Sequence, residues 1–474
     1  MHSNAAAALH AAIAQPPHLV GVSAHFVPSD YHDQWVYENG VFNLHFMDIW
    51  SANMVNGLAR RRDQPDSERL EVDPDDTSRR DRTPLADRTE FKRDGQYYFD
   101  FLEQSYYDDF WSSVDFEQHY RDFTVPIQLT GGWFDIFSVG TIRSYRGIHS
   151  LGTPRAQNSV QLRMVPAAHG PFISDEWTFP FSSATDAETT SMSAQWWQYV
   201  FGDSAHESRP DAVQLYLMAP PVGRTIDRGF WISSPSYPLA NTSDTKLYLS
   251  SGGNANSLAG DGVLTWEAVP KGDPDHFIHD PVTPMPTHGG SLVPNPGRMP
   301  PYEEIPGPRD QTGVEARSDV LVYTSDRLSF RLNIIGPIQC RFWAQTSAAS
   351  TDFVVKLVVV RPDGSTFNVL DRAITSRLRH GSKGPPNDIT PNVPCQYFLE
   401  LGDTALQLQE NMRLRLEIAS SNYPRLARNP GTGATVAEEG MLISAEQKIF
   451  HDEDHPSYIT LPLVQEAALI RGSM

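Results

Sequence analysis

Val125-Pro126-Ile127-Gln128-Leu129-Thr130-Gly131-Gly132-Trp133-Phe134-Asp135 is the stretch whose reading decides the fold. Its first half is an apolar run of buried-strand length. Two glycines then suit a tight turn in which backbone comes close to a neighbour, and a carboxylate follows. Val160-Gln161-Leu162-Arg163-Met164-Val165-Pro166 repeats the strand pattern and ends in Ala167-Ala168-His169-Gly170. Functional groups of open α/β sheets sit at the carboxyl ends of strands, and both Asp135 and His169 take that place. Upstream, Ala5 to Ala14 is a strong helix former with Ser3 or Asn4 as its N-cap, and Pro16-Pro17 stops it. His18 to Ala24 then reads as another buried strand. A helix handing over to a buried strand is a unit of a parallel α/β sheet. The strand expected ahead of that helix is missing, so the sheet is expected to be incomplete at its N-terminal side.

Working outward, residues from Asp30 to about Phe116 are aromatic and charged, with Trp35, Tyr37, Phe42, Phe46 and Trp50 at loosely helical spacing. They predict a helical cap insertion over about 30–118, its aromatics spent chiefly on packing. Arg60-Arg61-Arg62 lies in a stretch equally rich in Asp and reads as a solvated face. Ser191 to Phe201 predicts a closing helix, punctuated by Gly202-Asp203-Ser204. Beyond Pro210 the texture changes to short strands between Pro, Gly, Asn and Asp, the clearest being the alternating Met412-Arg413-Leu414-Arg415-Leu416-Glu417-Ile418. The expected organisation is a parallel α/β domain over 1–205 and a jelly-roll-like β-sandwich over 210–474.

The 474 residues carry a formal net charge of −20, which argues against a nucleic-acid partner, since phosphate binding needs clustered Lys and Arg. No apolar run reaches the length of a membrane helix and no export signal is visible, so no membrane partner and a cytoplasmic location are expected. Cys340 and Cys395, the only cysteines, form no CxxC pair and read as small apolar residues. Asp273, Asp275, His276, His279 and Asp280 crowd one segment, and His451, Asp452, Asp454 and His455 another. Both have metal-ligand residue types without an established spacing, and polar turns are the preferred reading. No metal and no cofactor are expected. Asn241-Thr242-Ser243 is a formal glycosylation sequon, meaningful only in a secreted eukaryotic protein.

A Ser nucleophile needs a base for its proton and a carboxylate to orient that base. In α/β-hydrolases these come in the order Ser, Asp, His, each after a strand. Asp135 and His169 fit the last two places, although an N-cap and a satisfied loop histidine would look the same. The surrounding motifs separate these readings. The sequence resembles the cocaine esterase and Xaa-Pro dipeptidyl-peptidase family of serine hydrolases, which includes α-amino-acid ester hydrolases and glutaryl-cephalosporin acylases. Gly131-Gly132-Trp133-Phe134-Asp135 is similar to its Gly-Gly-Trp-Tyr-Asp acid motif. Val165-Pro166-Ala167-Ala168-His169-Gly170 is similar to its Gly-Pro-Trp-Ser-His-Gly base motif, with three positions replaced. Asp280 to Gly290, Arg317 to Ser325, Ser350-Thr351-Asp352-Phe353, Tyr423-Pro424-Arg425, Arg428-Asn429-Pro430 and His455-Pro456-Ser457 resemble further motifs of its β half.

The resemblance implies a nucleophile at the head of the first helix. The Pro-Pro-His-Leu exit of that helix places it at or beside Ser3, with a one-residue deletion against the family spacing; the other reading of Ser3 is a helix cap. The backbone N–H of Asn4 would then serve the oxyanion, while the family's oxyanion Tyr lies upstream of anything in this sequence. Gly21-Val22-Ser23-Ala24-His25 fails as a nucleophile elbow because no helix follows, so Ser23 reads as a buried strand residue. The resemblance implies hydrolysis of small-molecule esters or amides through an acyl-enzyme, with Xaa-Pro dipeptides as a second substrate class. An inactive homologue or a β-sandwich binding module is the alternative. Homo-oligomerisation is left open.

Overall fold

The computed structural model describes residues 2–62, 65, 80–169, 183–202, 210–221, 229–268, 271–293 and 305–471, without the side chains of 2–4 and 183–189. Four parallel strands lie side by side in the order β1 (Val22–His25), β2 (Ile127–Phe134), β3 (Gln161–Ala168) and β4 (Val213–Leu217). Antiparallel β5 (Phe230–Ser234) and the short strand Ile470–Arg471 extend them to a six-stranded sheet. Every residue of β2 and β3 is buried, as a parallel sheet covered on both faces requires. Helix α1 (His2–Ala14) buries Leu9 and Ala12, and helix α3 (Ser138–Leu151) buries Ile142, Tyr145 and Ile148. Helix α4 (Ser183–Phe201) starts earlier than the expected closing helix and buries Trp196. The sheet continues past the change of texture near position 210, because β4 and β5 are built from the first residues beyond it.

Three local expectations change. Helix α1 begins at His2, so the backbones of Ser3 and Asn4 lie inside its first turn instead of capping it. The insertion is mostly helical, with helix α2 (Leu44–Arg61) its longest piece, but it opens on a single π-helical turn, Tyr31–Val36. A hairpin follows, pairing Tyr37 with Phe42 and Glu38 with Val41. Its two-residue loop is Asn39-Gly40, at φ +45° and +84°, and both positive angles suit the twist of a tight hairpin. The aromatic spacing had read as helical across this turn. Ser23 is on β1 as expected but half-buried; its hydroxyl donates to Gln128 Oε1 at 2.9 Å and lies 3.0 Å from His25 Nε2.

The remaining strands form an eleven-stranded, almost wholly antiparallel sheet. The alternating segment becomes Arg413–Ala419, antiparallel to both Leu321–Ser325 and Asp352–Val360. The first acid-histidine segment is a strand, Asp275–His279, with alternate residues buried, and not a turn. Asp275 accepts from Ser251 Oγ at 2.8 Å, Tyr323 OH at 2.7 Å and the Ala255 amide at 2.7 Å, with His451 Nε2 at 3.0 Å. The two segments thus meet in one buried hydrogen-bonded knot. Among the described residues no three His, Cys, Asp or Glu are placed to hold a metal ion. No described helix is long and apolar enough to cross a membrane. Cys340 is buried, Cys395 is half-buried, and both are free.

Candidate active site

Strands β2 and β3 run parallel with Phe134 opposite Ala168, so the next residue of each, Asp135 and His169, leaves the sheet beside the other. His169 Nδ1 is hydrogen-bonded to Asp135 Oδ2, and both side chains are fully buried. The other carboxyl oxygen, Oδ1, accepts from the Phe137 amide at 2.6 Å. The Ser138 amide donates to the Asp135 carbonyl at 3.1 Å and starts α3. With Asp135 accepting at both oxygens, the imidazole proton sits on Nδ1 and Nε2 is the basic nitrogen.

The glycine pair makes this approach possible. A Cβ on Gly132 would lie 2.3 Å from the Ala167 carbonyl oxygen, whereas one on Gly131 would meet the side chains of Met164 and Thr141 at 3.0 Å. Strict glycine is therefore needed at 132, where the neighbour is backbone. Trp133 turns the other way and donates through Nε1 to the Tyr216 carbonyl at 2.9 Å, tying β2 to β4 across β3. Gly170 lies outside the described residues.

Aromatic rings surround the imidazole. The Phe137 centroid is 5.1 Å from that of His169 with the rings perpendicular, Phe26 is at 6.1 Å and Phe46 at 6.4 Å. Trp35 stands behind them, 5.3 Å from Phe137 and 5.9 Å from Phe46. On its other side Tyr31 is 5.2 Å away, and burial pushes the Tyr31 hydroxyl up to about 12, so it stays protonated. These rings come from four separate stretches of chain. Sequence reasoning assigned the cap aromatics to packing and did not connect them with His169. Phe137, two residues after Asp135, was the one positional signal.

Ser3 and Asn4 stand at the head of α1, which packs on β1, the strand beside β2. Their side chains lie outside the described residues.

Comparison with known proteins identifies the family. Residues 206–460 match the model of the X-Pro dipeptidyl-peptidase C-terminal non-catalytic domain, and residues 3–171 match that of the X-Pro dipeptidyl-peptidase S15 family. The chain is 26% identical over 449 residues to a cocaine esterase of Rhodococcus sp. (strain MB1 Bresler), covering 92% of this chain and 74% of that one. An aminopeptidase from a marine sediment Thaumarchaeota archaeon superposes with a TM-score of 0.81 at 19% identity, covering 98% of this chain and 75% of the other. An α-amino acid ester hydrolase superposes with a TM-score of 0.76 at 21% identity, covering 97% and 75%. These solved structures share the order of an α/β domain followed by a C-terminal β domain. With one family model spanning more than half of its length, the chain belongs to the X-Pro dipeptidyl-peptidase and cocaine esterase family of CocE/NonD-type hydrolases.

Proposed function

We propose that the protein is a serine hydrolase of ester or amide bonds that works through Ser3, His169 and Asp135. The observation that carries this reading is the buried His169–Asp135 hydrogen bond at the carboxyl ends of adjacent parallel strands. Ser3 Oγ attacks the carbonyl carbon while His169 Nε2 takes its proton. The proton then passes to the leaving alcohol or amine, and water releases the acyl group by the same steps. Asp135 holds the imidazole in the required tautomer. The Asn4 amide, next after the nucleophile at the start of α1, donates to the developing oxyanion, and the helix terminus favours negative charge there.

In the same reading, the catalytic α/β-hydrolase part, with its cap over about 30–118, runs on through β4 and β5, and the eleven-stranded sheet that follows forms a jelly-roll-like domain. Phe26, Phe46 and Phe137 around the imidazole favour a small-molecule substrate with an apolar or aromatic acyl group. Relatives named as a cocaine esterase and an α-amino acid ester hydrolase support an ester substrate, and the family models keep an X-Pro dipeptide as the second class. A fluorophosphonate active-site probe tests the nucleophile. Labelling of the wild type and not of Ser3→Ala is expected; equal labelling of both would overturn Ser3.

A further inference from the structure

Three carboxylates, Asp30, Asp33 and Glu38, fall within nine residues around Trp35, and each is met by a cation from the C-terminal half. Asp30 is fully buried and caps the π-helical turn, accepting from the His32 amide at 2.7 Å. Its Oδ2 is 3.2 Å from Lys383 Nζ. Asp33 lies 3.6 Å from Arg372 and 3.1 Å from Arg143 of α3, which in turn donates to Glu400 at 2.7 Å. Glu38 accepts both arms of Arg425, at 3.0 and 3.1 Å, and the Ala373 amide at 2.7 Å. Asn39 Nδ2 donates to the Ala373 carbonyl at 2.8 Å. The turn that carries Trp35 is thus gripped at both ends by residues more than 330 positions away.

We infer that this grip is a positioning device: the β half sets the aromatic wall beside His169 by holding segment 30–39, and Lys383 is the positioning residue through which it does so. The path is short. Lys383 and Asp30 fix the Tyr31–Val36 turn, the turn fixes Trp35, and Trp35 backs Phe137 and Phe46, both of which touch the imidazole. Lys383 also contacts Asp115 at 2.5 Å and Glu117 at 2.9 Å, and lies 4.9 Å from the Tyr107 ring centre. It is the cation shared by three acids that would otherwise face one another. Stability does not explain the arrangement, because burying charges costs desolvation that pairing only partly returns. Burial, with Asp115, Asp33 and Glu117 adding to it, pushes the Asp30 carboxyl up to about 7 even with Lys383 beside it. Positional definition is what the charges supply.

The inference rests on the proposed hydrolase reading, and the test separates the two. Lys383 keeps about a third of its side chain exposed, so K383M is less disruptive than a change at the buried Arg372 or Arg425. Wild type, K383M and K383R are compared on p-nitrophenyl acetate and p-nitrophenyl benzoate, with hydrogen exchange followed across 31–42. K383M should raise KM for the benzoate about five- to tenfold, leave kcat for the acetate within about twofold, and speed exchange in that segment. K383R should return the benzoate KM and the exchange rate to wild-type values. Unchanged exchange and KM in K383M would overturn the inference, as would a K383R variant that behaves like K383M. If the wild type cleaves neither ester, the catalytic reading fails while exchange still decides the grip.

Discussion

Replacing Gly132 with Ala probes how closely the two chemical strands must approach. The added Cβ would stand 2.3 Å from the Ala167 carbonyl oxygen and 2.9 Å from its carbon, both backbone atoms of the neighbouring strand. Ordinary contact begins more than 1 Å further out, so β2 and β3 must part by about 1 Å at the point where Asp135 and His169 leave them. A misplacement of that size costs roughly 10²-fold in a reaction that depends on alignment. Overpacking a buried position adds a stability loss of about 1–3 kcal/mol. Gly131→Ala is the internal control, since its Cβ would meet the Met164 sulfur and a Thr141 methyl at 3.0 Å, atoms of side chains that can yield. Ester hydrolysis under kcat/KM conditions and urea denaturation, run on both variants, give the two readouts. Activity in Gly132→Ala within threefold of wild type, or equal losses in the two variants, would show that strand separation does not control the Asp–His geometry.

Asp135→Asn should preserve the fold while lowering kcat by about 10⁴-fold, because an amide cannot hold the same imidazole tautomer, and steady-state kinetics on an activated ester would read it. Asp352 tests burial in the β half. Complete desolvation pushes its carboxyl from 3.8 up to about 7, with hydrogen bonds from Asn429 and Thr375 pulling back. A raised folded value means that its contribution to stability is full below about pH 4 and is lost as pH rises towards 7, a change of about 4 kcal/mol. Asp352→Asn should therefore flatten the urea midpoint between pH 4 and 8 relative to wild type, and parallel pH profiles would refute the assignment.

Legibility followed distance along the chain. The strand-end positions of Asp135 and His169 could be read because each needs only its own apolar run and the residue after it. The need for glycine at 132 was visible as a turn preference, but its partner, the Ala167 carbonyl, was not. The hairpin at Asn39-Gly40 was masked by aromatics whose spacing satisfies a helical template, although the dipeptide itself signals a tight turn. Strands β4 and β5 were grouped with the β half because composition changes before the sheet ends. The Asp275–His451 pair joins residues 176 positions apart, and nothing local to either marks the contact.

This division also separates two kinds of information in the site. The position of His169 against Asp135 is set by parallel register, a property of two strands and one glycine, and so can be read in short motifs. What surrounds His169 is set by Phe26, Phe46, Phe137 and Trp35, which come from separate segments of the sheet domain and its cap. Their placement depends further on Glu38, Asp33 and Asp30 finding Arg425, Arg372 and Lys383 across the molecule. Chemistry written locally and surroundings written globally can change independently. A substitution among the distant cations should then alter which acyl groups are accepted while leaving the Asp135–His169 pair, and the proton transfers proposed for it, in place.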